Sequence, residues 1–575
     1  MNRRRVWAPF AQTVELVAAG KRLAMAQDAN GWWSVEIEDD LARADYAFSV
    51  DRADPVPDPR SPSQPEGVLG FSRPIEHSAF HWSDDGWRQP PLGSAIIYEC
   101  HVGTLTSEGT FDAAIDRLGY LKHLGISHVE LMPVAEFSGD RGWGYDSVDL
   151  YAPHHAYGGP EGLKRLVDAC HRHGLGVILD VVYNHFGPSG NFLPKFGPYL
   201  MNNYRTPWGD AVNLDGENSS EVRRFFCDNA LMWLRDYHVD GLRLDAVHAI
   251  FDVSAIHFLE QLATEVRVLE SHLGRQLVVI AESDLNQPRL VTAFDAGGYG
   301  LDGQWSDDFH HAIHAYLTGQ QSGYYADFGS LANIAKALTS PYVYDGIYSR
   351  HRKRVHGRPA ASLQADRFVV YIQNHDQIGN RAKGERLGHL IPLDTLKIAA
   401  ALLMTSPFTP LIFQGEEWNA SSPFQYFTDH KDPALAQAVR EGRQREFAHF
   451  VSADGEVPDP QASETLERSK LNWEERERGE HAETLAWYRS LIKLRRRSHR
   501  PLRLDQVTVD FDESARWLHV RSGSITVVCN FAASAVHVAL HDRERGARLA
   551  LASKESVRVT QAAVEMAPVS VAILE

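Results

Sequence analysis

From Ala95 onward, short apolar runs alternate with amphipathic ones, and this alternation narrows the fold more than any other feature of the chain. Eight runs have strand length: Ile96 to Glu99, His128 to Met132, Val177 to Val182, Gly241 to Asp245, Val278 to Ala281, Gly300 to Trp305, Phe368 to Gln373, and Leu411 to Gln414. Between them apolar residues recur at helical spacing. Phe111, Ile115, Leu118, Leu121 and Leu124 are stopped by Gly125, and Leu163, Leu166, Val167 and Cys170 precede Gly174. Strands alternating with helices build a parallel sheet with crossover connections, and eight such units close into a (β/α)8 TIM barrel, an α/β fold. The longest apolar stretch, Leu396 to Phe413, contains Lys397, Pro407 and Pro410. It reads as a buried helix followed by a buried strand, and no membrane span is expected.

Both ends of the chain have a different texture. Before the barrel, Val14 to Val17, Trp32 to Val35 and Tyr46 to Val50 alternate apolar and polar residues between turn residues such as Asn30-Gly31, the pattern of a small β-sandwich. A stretch rich in Pro, Ser and Asp, from Asp54 to Pro65, and the pair Pro90-Pro91 mark the boundary, and the linker is expected to lie ordered over its neighbours. After a helix from Ala482 to Arg496, alternation returns in Val507 to Val509, Trp517 to Val520, Ile525 to Val528 and Val569 to Leu574. The expected division is 1–90 for an N-terminal β-sandwich of carbohydrate-module type plus linker, 91–500 for the barrel, and 501–575 for a C-terminal β-domain. The charged segment Asp429 to Glu480 reads as solvated decoration without chemistry.

Composition removes several function classes. A formal charge of −17 disfavours a polyanionic partner, so no nucleic acid is expected. Cys100, Cys170, Cys227 and Cys529 are too scattered for a zinc motif or a disulfide scaffold, and read as buried thiols in a reducing compartment. Arg3, Arg4 and Arg5 are followed by Trp7, Pro9, Gln12 and Glu15, not by an apolar h-region, so a cytoplasmic location is expected.

In a β/α barrel the active site lies at the C-terminal ends of the strands. Strand three runs through Asp180 to Asn184-His185, strand four ends in Arg243-Leu244-Asp245, strand five in Ala281-Glu282, and strand seven in Asn374-His375-Asp376-Gln377. Any one of these acids alone reads as a salt bridge or loop cap; four on one rim read as a site. Arg243, two residues before Asp245, shares its face of the strand and favours an ionised carboxylate there. Glycoside cleavage needs one charged carboxylate and one that donates a proton, and Glu282, ending an apolar strand near other acids, suits the second role.

These four blocks resemble, in order, the four conserved short regions of the α-amylase family of glycoside hydrolases, and the resemblance extends over nearly the whole chain. It implies Asp245 as nucleophile, Glu282 as general acid/base and Asp376 as the third carboxylate, acting with retention through a covalent glucosyl-enzyme. It also implies sugar contacts from His185, His375 and Tyr145; for Tyr145 a core role is the competing reading, and for His248 contact and structural roles stand even. Gln377 and Asn380 belong to the same block as Asp376. Within the family, the blocks around strands four to eight, including Trp305 to His311, Glu416-Glu417-Trp418 and Tyr426 to His430, are most similar to members that hydrolyse the α-1,4 bond next to a terminal trehalose unit. Asp307, Asp308, Phe309, His310 and His311 are thus expected to hold the leaving trehalose, or else to begin a helix capped by Asp307 or Asp308. The expected ligand is an α-1,4-glucan ending in trehalose. Two alternatives are a glucan branching enzyme and a non-catalytic α-glucan-binding barrel. The chemistry uses carboxylates alone and no calcium loop is legible, so neither metal nor other cofactor is expected in catalysis.

Overall fold

The computed structural model describes residues 2–447, 457–498 and 503–575. Eight parallel strands close the barrel: β1 (Ile97–Cys100), β2 (His128–Leu131), β3 (Gly176–Val181), β4 (Gly241–Leu244), β5 (Val278–Glu282), β6 (Gly303–Trp305), β7 (Phe368–Val370) and β8 (Thr409–Phe413). Each coincides with a run expected from sequence. Strand seven is shorter than expected: Asn374 caps a new helix, His375–Gly379, by accepting the Gln377 N–H at 2.8 Å. Asp376, expected at a strand end, therefore sits on the helix that follows the strand.

The inward positions set the site. Residues two apart on a strand share a face, and Ile97, Ile178, Val278, Ile280, Trp305, Val369, Tyr371 and Leu411 pack together as the barrel's inner core. Continuing the same period upward gives Glu99 after Ile97, Asp180 after Ile178, Arg243 and Asp245 after Gly241, and Glu282 after Ile280. The barrel is apolar at its base and ionic at its C-terminal rim for this reason. Asp180 and Arg243 are register partners on β3 and β4.

The N-terminal region contains two three-stranded antiparallel sheets, one of which pairs Asn2–Trp7 with Trp32–Ile37. Arg3, Arg4 and Arg5 thus lie in a strand, which charge alone did not suggest. The Pro-rich linker is pinned to the barrel: Arg60 lies 2.7 Å from Asp228, and Ser61 and Gln64 are buried. At the other end a five-stranded and a three-stranded antiparallel sheet form the C-terminal β-region. Its strands Val536–Ala539, Leu549–Ala552, Arg558–Val559 and Ala563–Met566 are only two to four residues long, too short to show an alternating pattern in the sequence. All four cysteines are buried and unpaired, and no helix among the described residues is long and apolar enough to cross a membrane.

Gly241 stands where the inner core is tightest. A Cβ there would lie 2.3 Å from Val278 Cγ2 and 3.0 Å from the Val278 carbonyl oxygen. Gly241→Val is therefore expected to destabilise the protein by about 1–3 kcal/mol through overpacking, read as a lower thermal unfolding midpoint. An unchanged midpoint would show that the base of the barrel has room to spare.

Candidate active site

Arg243 is fully buried at the centre of the rim. Its Nη1 lies 2.7 and 2.6 Å from the two Asp180 oxygens and 3.0 Å from Asp245 Oδ1, while Nη2 lies 3.0 Å from Glu282 Oε2. The guanidinium also covers the face of Trp305, 4.3 Å from its centroid. Asn184 donates to Asp245 Oδ2 at 2.7 Å. The backbone N–H of Ala246 donates to Glu282 Oε2 at 2.6 Å, and Ala246 holds a positive φ of 39°. Such a backbone is uncommon for a residue with a side chain.

Burial dominates the electrostatics of Glu282. It raises the pKa to about 8 against the lowering effect of Arg243, and Asp245, Asp376 and Asp307 add to the rise. Asp180 is likewise lifted by burial, to about 6, with Arg243 opposing. His375 goes the other way. Burial disfavours its charged form, but Asp376 and Glu99 outweigh that effect and push its pKa up to about 9.

The hydrogen bonds around His375 require that charge. Nδ1 is engaged by Glu99, whose other oxygen accepts the His375 backbone N–H at 3.1 Å. Nε2 lies 2.6 Å from the Tyr145 hydroxyl, which itself donates to Asp180 at 2.7 Å. With the Tyr145 proton committed to Asp180, Nε2 must donate, and so must Nδ1 to the Glu99 carboxylate. His375 is thus an imidazolium linking Glu99, through Tyr145 and Asp180, to Arg243.

Above this layer opens a pocket of about 530 Å³. Asp245, Glu282 and Asp376 line it together, with Tyr145, His185, His248 and Asn380 from the expected set. Tyr145 reconciles its two readings: its ring borders the pocket and stacks on His375, 5.1 Å between centroids. His185 stacks on Trp208 at 4.6 Å, and Asn380 donates to Asp376 at 3.1 Å. Arg243 and His375 lie beneath the lining residues, and Gln377 points to Asp307 at 3.5 Å.

Several lining residues were not anticipated. Trp208 is half exposed on the turn between Leu200–Thr206 and Gly209–Val212, and an aromatic in a Pro-Trp-Gly turn was the available signal. Val439, Arg443 and Glu446 belong to the helix Pro433–Phe447. This corrects the reading of the charged segment as mere decoration, since part of it walls the pocket. Trp143, Asp146 and Tyr426 also contribute.

The block after β6 takes the helical of its two readings. It begins the helix Asp307–Thr318, with Ser306, not either aspartate, at the N-cap position. Asp308 is buried and accepts from Asn286 and from the backbone N–H groups of Val343 and Tyr344. Phe309 is in the core against Phe408. His310 spends Nδ1 on the Ile372 carbonyl and Nε2 on the Tyr325 hydroxyl. None of Asp308, Phe309 and His310 lines the pocket, and both His310 ring nitrogens and Asp308 Oδ2 are engaged internally. His311 packs against Tyr324, 5.1 Å between centroids, and Asp307 accepts from Tyr371 beside the site. Neither lines the pocket, although Asp307 is near enough to raise the pKa of Glu282. Glu416 and Glu417 are buried too, held by Tyr488 and by Tyr98 and Tyr120, and Trp418 bonds to Glu475. None of these three faces the pocket.

The model for the α-amylase catalytic domain matches residues 77–205, and a domain of unknown function, DUF3459, matches residues 502–573. The chain is similar to the malto-oligosyltrehalose trehalohydrolase of Rhizobium sp. strain M-11, with 49% identity covering 99% of this chain and 97% of that one. It is 51% identical to the enzyme of the same name from Arthrobacter ramosus, covering 89% and 90%. Among solved structures, a putative α-amylase from Salmonella typhimurium matches with a TM-score of 0.91 and 37% identity, covering 99% of this chain and 97% of that one. A glucan branching enzyme from Corynebacterium jeikeium is more distant, at 28% identity over 78% of this chain. The chain belongs to the malto-oligosyltrehalose trehalohydrolases, within the α-amylase family of glycoside hydrolases.

Proposed function

We propose that the chain hydrolyses the α-1,4 bond next to the terminal trehalose of a maltooligosyltrehalose, with retention, releasing trehalose and a shortened maltooligosaccharide. The observation that carries this reading is the convergence of Asp245, Glu282 and Asp376 on one pocket, in environments that differ as the chemistry requires. Asp245 has a guanidinium and an amide on its two oxygens, which suits a charged nucleophile. Glu282, raised to about 8, retains its proton at neutral pH.

In the first step an Asp245 oxygen bonds to the anomeric carbon while the glycosidic bond breaks and the Glu282 proton passes to the leaving trehalose oxygen. In the second, water attacks the same carbon, its proton returns to Glu282, and Asp245 is released. Asp376, hydrogen-bonded by Asn380, stabilises the positive sugar ring and holds hydroxyls. Tyr145, fixed by His375 and Asp180, is the platform for the sugar at the cleavage point, and His248 donates to its hydroxyls, while His185, its ring nitrogens engaged by Asn184 and the Tyr145 carbonyl, borders the sugar with its ring. Trp208 stacks on a further sugar. Glu446, held by Arg443 at 3.2 Å, offers a carboxylate for the bent trehalose unit. The four buried, unpaired cysteines support a reducing, cytoplasmic setting.

On maltooligosyltrehalose, product analysis is expected to give trehalose, with a much higher kcat/KM than for linear maltooligosaccharide of equal length. Equal cleavage of both, or α-1,6 branches formed in amylose, would overturn the reading. Asp245→Asn, Glu282→Gln and Asp376→Asn are each expected to lose roughly 10²-fold or more in activity while keeping the wild-type circular dichroism spectrum. Arg443→Ala is expected to narrow the preference for the trehalose-ended substrate. The Glu282 proton gives the pH dependence its sign: the donor is loaded below about 8 and empties as pH rises through that value, so kcat/KM is expected to decline on the alkaline side. A profile flat across that range would remove Glu282 as the donor.

A further inference from the structure

Away from the pocket, three potential metal ligands meet on the hairpin formed by Ala135–Phe137 and Ser147–Pro153. Glu136 is on the first arm, and His154 and His155 directly follow the second. One ligand atom from each lies within 4.8 Å of the others. Glu136 Oε2 is 3.2 Å from His154 Nδ1, and Glu136 Oε1 is 2.7 Å from His155 Nδ1. None of the three lines the substrate pocket.

The second observation is His154 itself. Its side chain is fully buried, stacked on Phe137 with centroids 3.8 Å apart, and neither ring nitrogen makes a hydrogen bond. The 3.2 Å approach of Nδ1 to the Glu136 carboxylate has the distance of a hydrogen bond without its direction. It is close to the spacing of about 3.3 Å that two ligand atoms have on a tetrahedral zinc with bonds near 2.0–2.1 Å. The partners of the other two ligands also have the right character. His155 Nε2 lies 3.2 Å from Asp140 Oδ1, and Glu136 Oε2 accepts the His155 backbone N–H at 2.8 Å. A carboxylate on the far nitrogen of a ligating histidine is the arrangement that orients metal-binding imidazoles. His155 is a quarter exposed and Asp140 mostly so, giving an entry path from solvent.

We propose that Glu136, His154 and His155 bind a divalent transition metal, zinc being suited to two imidazoles, a carboxylate and water. The ion joins the two arms of a hairpin whose connecting loop carries Trp143 and Tyr145 into the pocket, so its role is structural. It adds no step to the carboxylate chemistry.

The test is zinc binding to the full-length protein after chelator treatment and dialysis, by competition with a chromophoric chelator, with cobalt absorption as a second readout. A separate cluster, Asp510, His519 and His541, is a possible competitor, so His541→Ala is the background control. One equivalent of zinc is expected in wild type and in His541→Ala, with a rise in the thermal midpoint. Asp140→Asn, a change at an exposed side chain, is expected to weaken binding by about 10-fold or more, and Glu136→Gln and His155→Ala to abolish it. Cobalt is expected to give visible ligand-field bands in wild type that Glu136→Gln lacks. Absence of stoichiometric binding in chelated wild type, or equal affinity in Glu136→Gln, would overturn the proposal. So would loss of the bound equivalent in His541→Ala.

Discussion

A single buried cation, Arg243, is the element on which the rim of the barrel depends. Placing a guanidinium out of water is costly unless opposite charge surrounds it, and this one is held by Asp180 and Asp245, with the proton-carrying Glu282 beside it and Trp305 across its face. The converse also holds: two charged carboxylates at such close quarters would not share a buried rim without it. Removing either side leaves an uncompensated charge, at a typical cost of about 3–5 kcal/mol. The same contacts therefore stabilise the barrel top and differentiate its acids.

That differentiation extends through His375. Its two donors are fixed by Glu99 and Tyr145, so a chain of charge-assisted hydrogen bonds runs from β1 to β4 beneath the pocket floor. Tyr145 consequently presents its ring to the pocket with its hydroxyl already committed below. Glu130, buried alongside with neither oxygen hydrogen-bonded, is held well above the ordinary carboxylate range by burial and by Glu99.

The barrel and its rim were legible because both follow from period-two patterning: one inward residue predicts the next, and an apolar inward run ended in Glu282 while Arg243 announced Asp245 two residues on. The β6 block was legible only as the start of a helix. Its resemblance pointed to ligand contact, but only the folded chain shows that Asp308 caps backbone N–H groups from a segment some 35 residues away. The helix Pro433–Phe447 was misread for the opposite reason. A charged amphipathic pattern does not reveal whether its polar face meets bulk water or a pocket. Glu136 and the His154–His155 pair lie on opposite arms of a hairpin, so their meeting leaves no short linear motif.

The pocket has a floor and walls of different origin. The floor is cut from strand ends locked in register, whereas Trp208 and the Arg443 wall come from excursions after β3 and β8. Insertions or drift in those two excursions can reshape what enters while the eight-strand closure is left intact. A lineage can thus change its diet without relearning its chemistry, and a mutational library aimed at new glucans would be written into the two loops, with the barrel kept as an unedited template.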